Sequence, residues 1–228
     1  MSMSSITDVQ DPDFGNDEPR SPGCSLLIVP PLSILIFGAV LLGLSWRRPP
    51  VVTSQQDTSR TIAVVSQVFT PEIQYWSGSI KKWAQAAGVD ANLVAVVMQI
   101  ESCGDPSARS AAGAVGLFQV MPYHFVNSED PFSPDTNANR GLEYLKRSLA
   151  AAHQDAGLAL AGYNGGISLI ATPQWEWPAE TQRYSHWGTG IYTDASNGAG
   201  DSPSLAEWLA AGGATLCVTA SERLGLDN

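Results

Sequence analysis

The chain has 228 residues, 44% of them hydrophobic and 15% charged, which suits one domain of ordinary size with extensions. Acidic residues outnumber basic ones 22 to 12, giving a formal net charge of −10, and no basic cluster exceeds a pair such as Lys81-Lys82 or Lys146-Arg147. That balance excludes a nucleic-acid binder, because phosphate contacts need clustered Lys and Arg.

Residues 1–24 hold Asp8, Asp11, Asp13, Asp17 and Glu18 among three prolines and little apolar matter, the composition of a disordered acidic tail. Ser25 to Leu44 follows without a charge, and about 20 such residues are enough to cross a bilayer as a helix. Residues 25–45 are therefore expected to form a transmembrane anchor, with Trp46, Arg47 and Arg48 as interface residues. A cleavable signal peptide fits less well, since the preceding stretch is acidic and no small-x-small cleavage site follows. The arginines after the span favour a cytoplasmic C-terminal region, although long domains translocate largely regardless of flanking charge. Residues 46–70, opening on Pro49-Pro50 and running through Thr53 to Ser59, read as a polar linker.

Residues 71–228 read as one helical domain. Glu72 to Ala87 places Ile73, Trp76, Ile80, Trp83 and Ala87 at three- and four-residue spacings, and Gly88 suits its C-terminal cap. Asp90 suits the N-cap of the next helix, whose run from Leu93 to Ile100 is apolar except for Gln99 and ends on Glu101. Asn137 to Ala152 forms a further helix with Leu142, Leu145 and Leu149 on one face, and Leu158 to Ala161 leads into Tyr163. Ser204 to Glu207 has the form of a capping box for a short helix carrying Trp208 and Leu209, closed by Gly212-Gly213. No sustained period-two alternation occurs, so the fold class is mainly α.

Glu101 shares a helix face with Val97, Val94 and Leu93, which seek the core. Burial there disfavours the carboxylate and raises its pKa, as a general acid near neutral pH requires. The plain alternative is a last-turn Glu that swings into solvent. Three further blocks weigh against that alternative: Gly113-Ala114-Val115-Gly116-Leu117-Phe118-Gln119-Val120-Met121-Pro122, then Gly162-Tyr163-Asn164-Gly165-Gly166, then Glu180-Thr181-Gln182-Arg183-Tyr184. In the first, Pro122 is expected to stop a short helix carrying Gln119. With Glu101-Ser102 in front, these four blocks resemble in order the family 1 lytic transglycosylase domain, a lysozyme-like module that cleaves bacterial peptidoglycan. The departures are Phe118 where Met is usual and Gly162 where Ala is usual. Asp135-Thr136-Asn137, with Gly141 and Tyr144-Leu145 behind, is also similar to a helix start of that family.

The resemblance implies a membrane-anchored enzyme whose substrate is the peptidoglycan glycan strand, with its catalytic domain on the extracytoplasmic side. Glu101 would be the catalytic acid and then base at the bond between N-acetylmuramic acid and N-acetylglucosamine, leaving a 1,6-anhydro end without consuming water. Substrate-binding roles carry over to Ser110, Gln119, Met121, Tyr163, Asn164, Glu180 and Tyr184. Of these, Tyr163 would orient Glu101 or bind sugar, Glu180 would stand at the cleft wall, and Tyr184 would stand across the cleft. Ser102 would do no more than cap the helix end. No cofactor is expected, and no Cys or His stands at metal-ligand spacing. In an exterior, oxidising setting Cys103 and Cys217 are expected to bridge, the alternative being two buried small hydrophobes. The rival readings are a hydrolytic muramidase, in which water replaces the C6 hydroxyl, and an inactive cell-wall binding module.

Overall fold

The computed structural model describes residues 64–226, and the expected acidic tail and transmembrane span lie outside them. Among the described residues no helix is long and apolar enough to cross a membrane. Among the described residues eight α-helices follow one another: α1 (Pro71–Tyr75), α2 (Ser77–Ala87), α3 (Ala91–Ser102), α4 (Pro134–Ala151), α5 (Ala156–Gly165), α6 (Ala179–Ser196), α7 (Pro203–Trp208) and α8 (Ala214–Leu224). Extended pairing among these residues is confined to isolated antiparallel bridges joining Arg109 to Val115 and Val115 to Val120. The domain is mainly helical.

α3 is the axis of the domain. Asp90 accepts hydrogen bonds from the Asn92 and Leu93 amides at 2.9 and 3.3 Å, which satisfies two of the donors a helix start leaves open. From Leu93 to Ile100 every residue is buried, so no face of that run meets solvent. A helix apolar all round needs neighbours all round, and α1, α2, α6 and α8 supply them. α5 packs between α4 and α6, and α7 closes on α6.

Several boundaries differ from those the sequence implies. The helix expected over 72–87 breaks at Trp76, whose backbone (φ −86°, ψ 1°) ends α1 and starts α2. Its indole there donates to the Gly104 carbonyl at 2.8 Å and stacks on Trp83 at 6.0 Å, so tertiary partners override the periodic pattern. Val65, Val68 and Phe69 are buried in the core, and the packed domain thus begins within the stretch read as linker. α7 is capped by Ser202, whose Oγ accepts from the Leu205 amide at 3.2 Å, rather than by Ser204. Pro203 at the first helical position fixes that register. Pro122 likewise opens a 3-10 turn (Pro122–His124) instead of ending a helix, and Gln119 sits in a loop with φ 47°. Cys217 lies within α8.

Close approach explains one departure from the family pattern. A Cβ on Gly162 would run into Ser148 Oγ and Ile170. Ser148 is buried and donates to the Ala159 carbonyl at 2.7 Å, so the space an alanine would use is already taken by a bonded hydroxyl.

Candidate active site

Glu101 lies in the last turn of α3, partly exposed where its neighbours are wholly enclosed. Its Oε1 accepts a 2.8 Å hydrogen bond from the Tyr184 hydroxyl, one helix away on α6. Burial raises its pKa from 4.5 to about 8, the Tyr184 bond opposes that rise, and the charge of Glu180 adds to it. A carboxyl so placed holds its proton at neutral pH and releases it to an acceptor whose basicity develops during reaction.

The chain leaves Glu101 through a stapled turn. Ser102 is buried, donates from Oγ to the Leu117 carbonyl at 2.7 Å and accepts from the Gly104 amide at 3.1 Å. Ser102 therefore does more than cap: it ties the end of the acid helix to the glycine-rich loop. Cys103 takes a left-handed conformation (φ 50°) as the C-cap and is joined by a disulfide to Cys217 of α8, with Cα atoms 5.0 Å apart. Gln99, fully buried one turn earlier, brings its amide within 3.1 Å of Cys103 Sγ and accepts from Thr70 Oγ1 at 3.2 Å. The buried Glu72 carboxylate completes this cluster, bonded by Ser221 Oγ at 2.6 Å. Glu72, Cys103 and Cys217 lie within ligand distance of one another. A disulfide offers no thiolate, so the trio has the chemistry of a structural knot and not of a metal site.

The glycine block folds over α4. Asn137, fully buried, bonds the Val115 carbonyl at 2.8 Å, the Pro131 carbonyl at 3.0 Å and the Phe118 amide at 2.8 Å. Gly116 (φ 76°) has to lack a side chain, because a Cβ there would occupy the space of the Asn137 amide. The loop in turn receives Tyr163, whose hydroxyl donates to the Phe118 carbonyl at 2.8 Å. The orienting bond to Glu101 thus comes from Tyr184, and Tyr163 instead braces the loop opposite. Both rings are buried, and burial, followed by the nearby Glu101 charge, pushes both phenols well above their ordinary range.

Other predicted residues make their bonds elsewhere than to the Glu101 carboxyl. Ser110 Oγ accepts from the Ala114 amide at 2.9 Å and so shapes the turn before the glycine block. Gln119 folds its amide onto the Gly116 carbonyl at 3.0 Å, and Met121 is half-buried beside it in sequence. Asn164 accepts from Thr181 Oγ1 at 2.7 Å and bonds the Glu180 carboxyl. Burial lifts the Glu180 pKa, offset by the Arg183 charge and then by the Asn164 bond. Glu180 and Tyr184 are one turn apart on α6, so the same helix brings Glu101 its hydroxyl partner and its charged neighbour. Reasoning from sequence did not single out Asn137 for this bracing, nor Thr181 and Gln99. A polar residue at helical spacing carries no mark of burial, and only the bonds it makes reveal it.

The family described as Transglycosylase SLT domain matches residues 78–184. The chain is 33% identical over 114 residues to a transglycosylase of Enterobacteria phage PRD1, covering 49% of this chain and 40% of that protein. It is 25% identical over 120 residues to the membrane-bound lytic murein transglycosylase E of Buchnera aphidicola, covering 44% and 54%. To the membrane-bound lytic murein transglycosylase C of Sodalis glossinidius it is 30% identical over 104 residues, covering 40% and 29%. The match thus spans about half or less of each of these relatives. Among solved structures, an inactive mutant of the lytic transglycosylase Slt from Pseudomonas aeruginosa aligns with a TM-score of 0.44 at 21% identity, over 54% of this chain and 24% of that one.

Proposed function

Because residues 78–184 belong to the transglycosylase SLT family, we propose that this chain is a peptidoglycan lytic transglycosylase with Glu101 as its acid and base. One observation carries the reading: a single carboxyl, pushed up to about 8 and fixed by Tyr184, at the one opening in the enclosed stretch from Leu93 to Ser102. Glu101 gives its proton to the oxygen linking N-acetylmuramic acid to N-acetylglucosamine, and the C1–O bond breaks with its electron pair leaving on the protonated oxygen. The 2-acetamido carbonyl of the substrate steadies the positive charge at C1. The C6 hydroxyl of the same sugar then attacks C1 while the Glu101 carboxylate takes its proton, which closes the 1,6-anhydro ring and restores the acid. Ordinary glycosidases use a second carboxylate as nucleophile or base. Glu180, held by Asn164 on the adjacent helix, serves here as a charged wall that keeps the Glu101 proton in place.

Gln119, Met121, Ser110 and Asn164 line the substrate groove in this reading, and Tyr163 keeps the glycine block in register through Phe118. Residues 25–45 anchor the chain in the membrane and leave the domain on the extracytoplasmic face, where its polymer is. The Buchnera and Sodalis relatives, both named as membrane-bound, support that placement.

Digestion of purified peptidoglycan by the full chain in heavy-oxygen water tests the chemistry. The expected products are anhydro-ended muropeptides, one water lighter than reducing ends and free of label. Labelled reducing ends would establish a muramidase, and absence of any release would leave a binding module.

A further inference from the structure

α6 has a second face. Tyr184 points from it towards Glu101, whereas Gln182, His186 and Thr189 lie about 140–200° round the helix from Tyr184, at about 100° per residue. Over that outer face, between α6, the 3-10 turn Gln174–Glu176 and the start of α7, lies a groove of about 550 Å³. Sites for small ligands span about 300–1,000 Å³, so the groove has room for more than a single sugar ring.

Its lining has a consistent chemistry. Trp175 stands at the rim with 80% of its surface exposed, more than any other large hydrophobic residue described. Trp177 forms a rigid wall: it is buried, and its indole donates to the Leu169 and Thr172 carbonyls at 3.2 and 3.1 Å. Gln182 is fixed to that wall by its bond to the Trp177 carbonyl at 2.8 Å. Gln174, Thr189 and Ser204 add an amide and two hydroxyls. No Lys, Arg, Asp or Glu lines the groove, and its histidine, His186, is turned to Glu207 at 3.3 Å. An anionic ligand finds no Lys or Arg among the lining residues, and the Glu207 carboxylate beyond them is taken up by His186. An open aromatic face flanked by neutral donors and acceptors suits an uncharged, hydroxyl-rich ligand with an apolar CH face.

We propose that this groove is a second glycan-binding site, separate from the cleft at Glu101, which holds a neutral N-acetylated oligosaccharide with Trp175 stacked on one sugar ring. The proposal rests on the reading of the chain as a peptidoglycan enzyme. A site on the far side of α6 holds a neighbouring stretch of polymer without occluding the acid. It thereby raises the local concentration of cleavable bonds by tethering rather than by new contacts at the reacting centre.

The test uses the full chain carrying Glu101→Gln, so that no probe is consumed, titrated with tetra-N-acetylchitotetraose and followed by the indole N–H resonances. The Trp175 signal is assigned by its loss in Trp175→Ala, a change at an exposed position that leaves the core untouched. The expected result is a Trp175 shift that saturates with the probe and one binding site fewer in the Trp175→Ala protein. With Glu101 restored, Trp175→Ala should turn over short soluble glycan at the parent rate and bind insoluble peptidoglycan about tenfold more weakly or worse, a modest share of the gain linked sites give. An unmoved Trp175 resonance, or equal binding by both proteins, overturns the groove as a site. Because binding is read without turnover, a silent enzyme with a responsive Trp175 would fail the proposed function and leave the groove standing. An active enzyme with an unresponsive Trp175 would do the reverse.

Discussion

Replacing Glu101 with Gln has two consequences of opposite sign, and the less obvious one is thermodynamic. The folded carboxyl titrates near 8 against an ordinary 4.5. Between those values the folded protein keeps a proton that the unfolded chain has released, so stability falls as pH rises through the window. At about 1.4 kcal/mol per pH unit the cost of ionising the buried group approaches roughly 5 kcal/mol above pH 8 and about 3 kcal/mol at pH 7. Gln carries no charge at any pH and escapes the loss. Urea unfolding of wild type and variant at pH 5 and pH 7 reads this directly, because the fixed difference between the two side chains cancels on comparing the two conditions. The gap should widen by about 2–3 kcal/mol in favour of the variant at pH 7, while turnover falls ~10²–10⁴-fold. An inactive variant whose stability gap does not widen would mean that the carboxyl is ionised in the folded protein at neutral pH. The account of Glu101 as an acid kept protonated by burial would then be refuted.

Tyr184→Phe removes a bond that lowers the Glu101 pKa, so the alkaline limb of the pH–rate profile should move to higher pH as the rate drops; a limb that stays or moves down would contradict the geometry. Asn137→Ala strips two buried bonds from the glycine block and a partly buried one from the Pro131 carbonyl, and should cost about 2–4 kcal/mol in denaturant unfolding, with activity falling alongside; stability within 1 kcal/mol of wild type, an order-of-magnitude margin, would show that the loop is held otherwise. Replacing both Cys103 and Cys217 with Ala opens a loop spanning 114 positions, for which chain entropy implies a loss of about 4–5 kcal/mol; an unchanged unfolding midpoint against oxidised wild type would remove the staple from the account.

The parts of this fold legible in the sequence are those where local pattern and tertiary partner agree. The Asp90 cap, the Gly88 stop and the greasy run of α3 needed only helical periodicity and capping chemistry. Where a long-range partner decides, pattern alone misleads. Trp76 has the spacing of a mid-helix residue, yet its bond to Gly104 breaks the helix there. Tyr163 and Tyr184 are indistinguishable on the page of letters, since each is a tyrosine in a motif near a proposed cleft. What separates them is which helix faces the last turn of α3, and that follows from how α5 and α6 pack. Asn137 was visible as part of a helix start, but its three bonds reach residues 6 to 22 positions away.

The disulfide makes the domain a covalent ring. Everything between Cys103 and Cys217 lies within it, including the glycine block, Tyr163 and Tyr184, while Glu101 sits two residues outside. The exposed stretch of residues 171–176 is the most open point on that ring, and a protease cutting there would part Glu101 from Tyr184 along the chain. It would not part them in space. The nicked molecule remains one covalent piece through the sulfur bond, its acid and its phenol still on facing helices, and after reduction the packing of α6 on α3 and α5 is what holds the two fragments together.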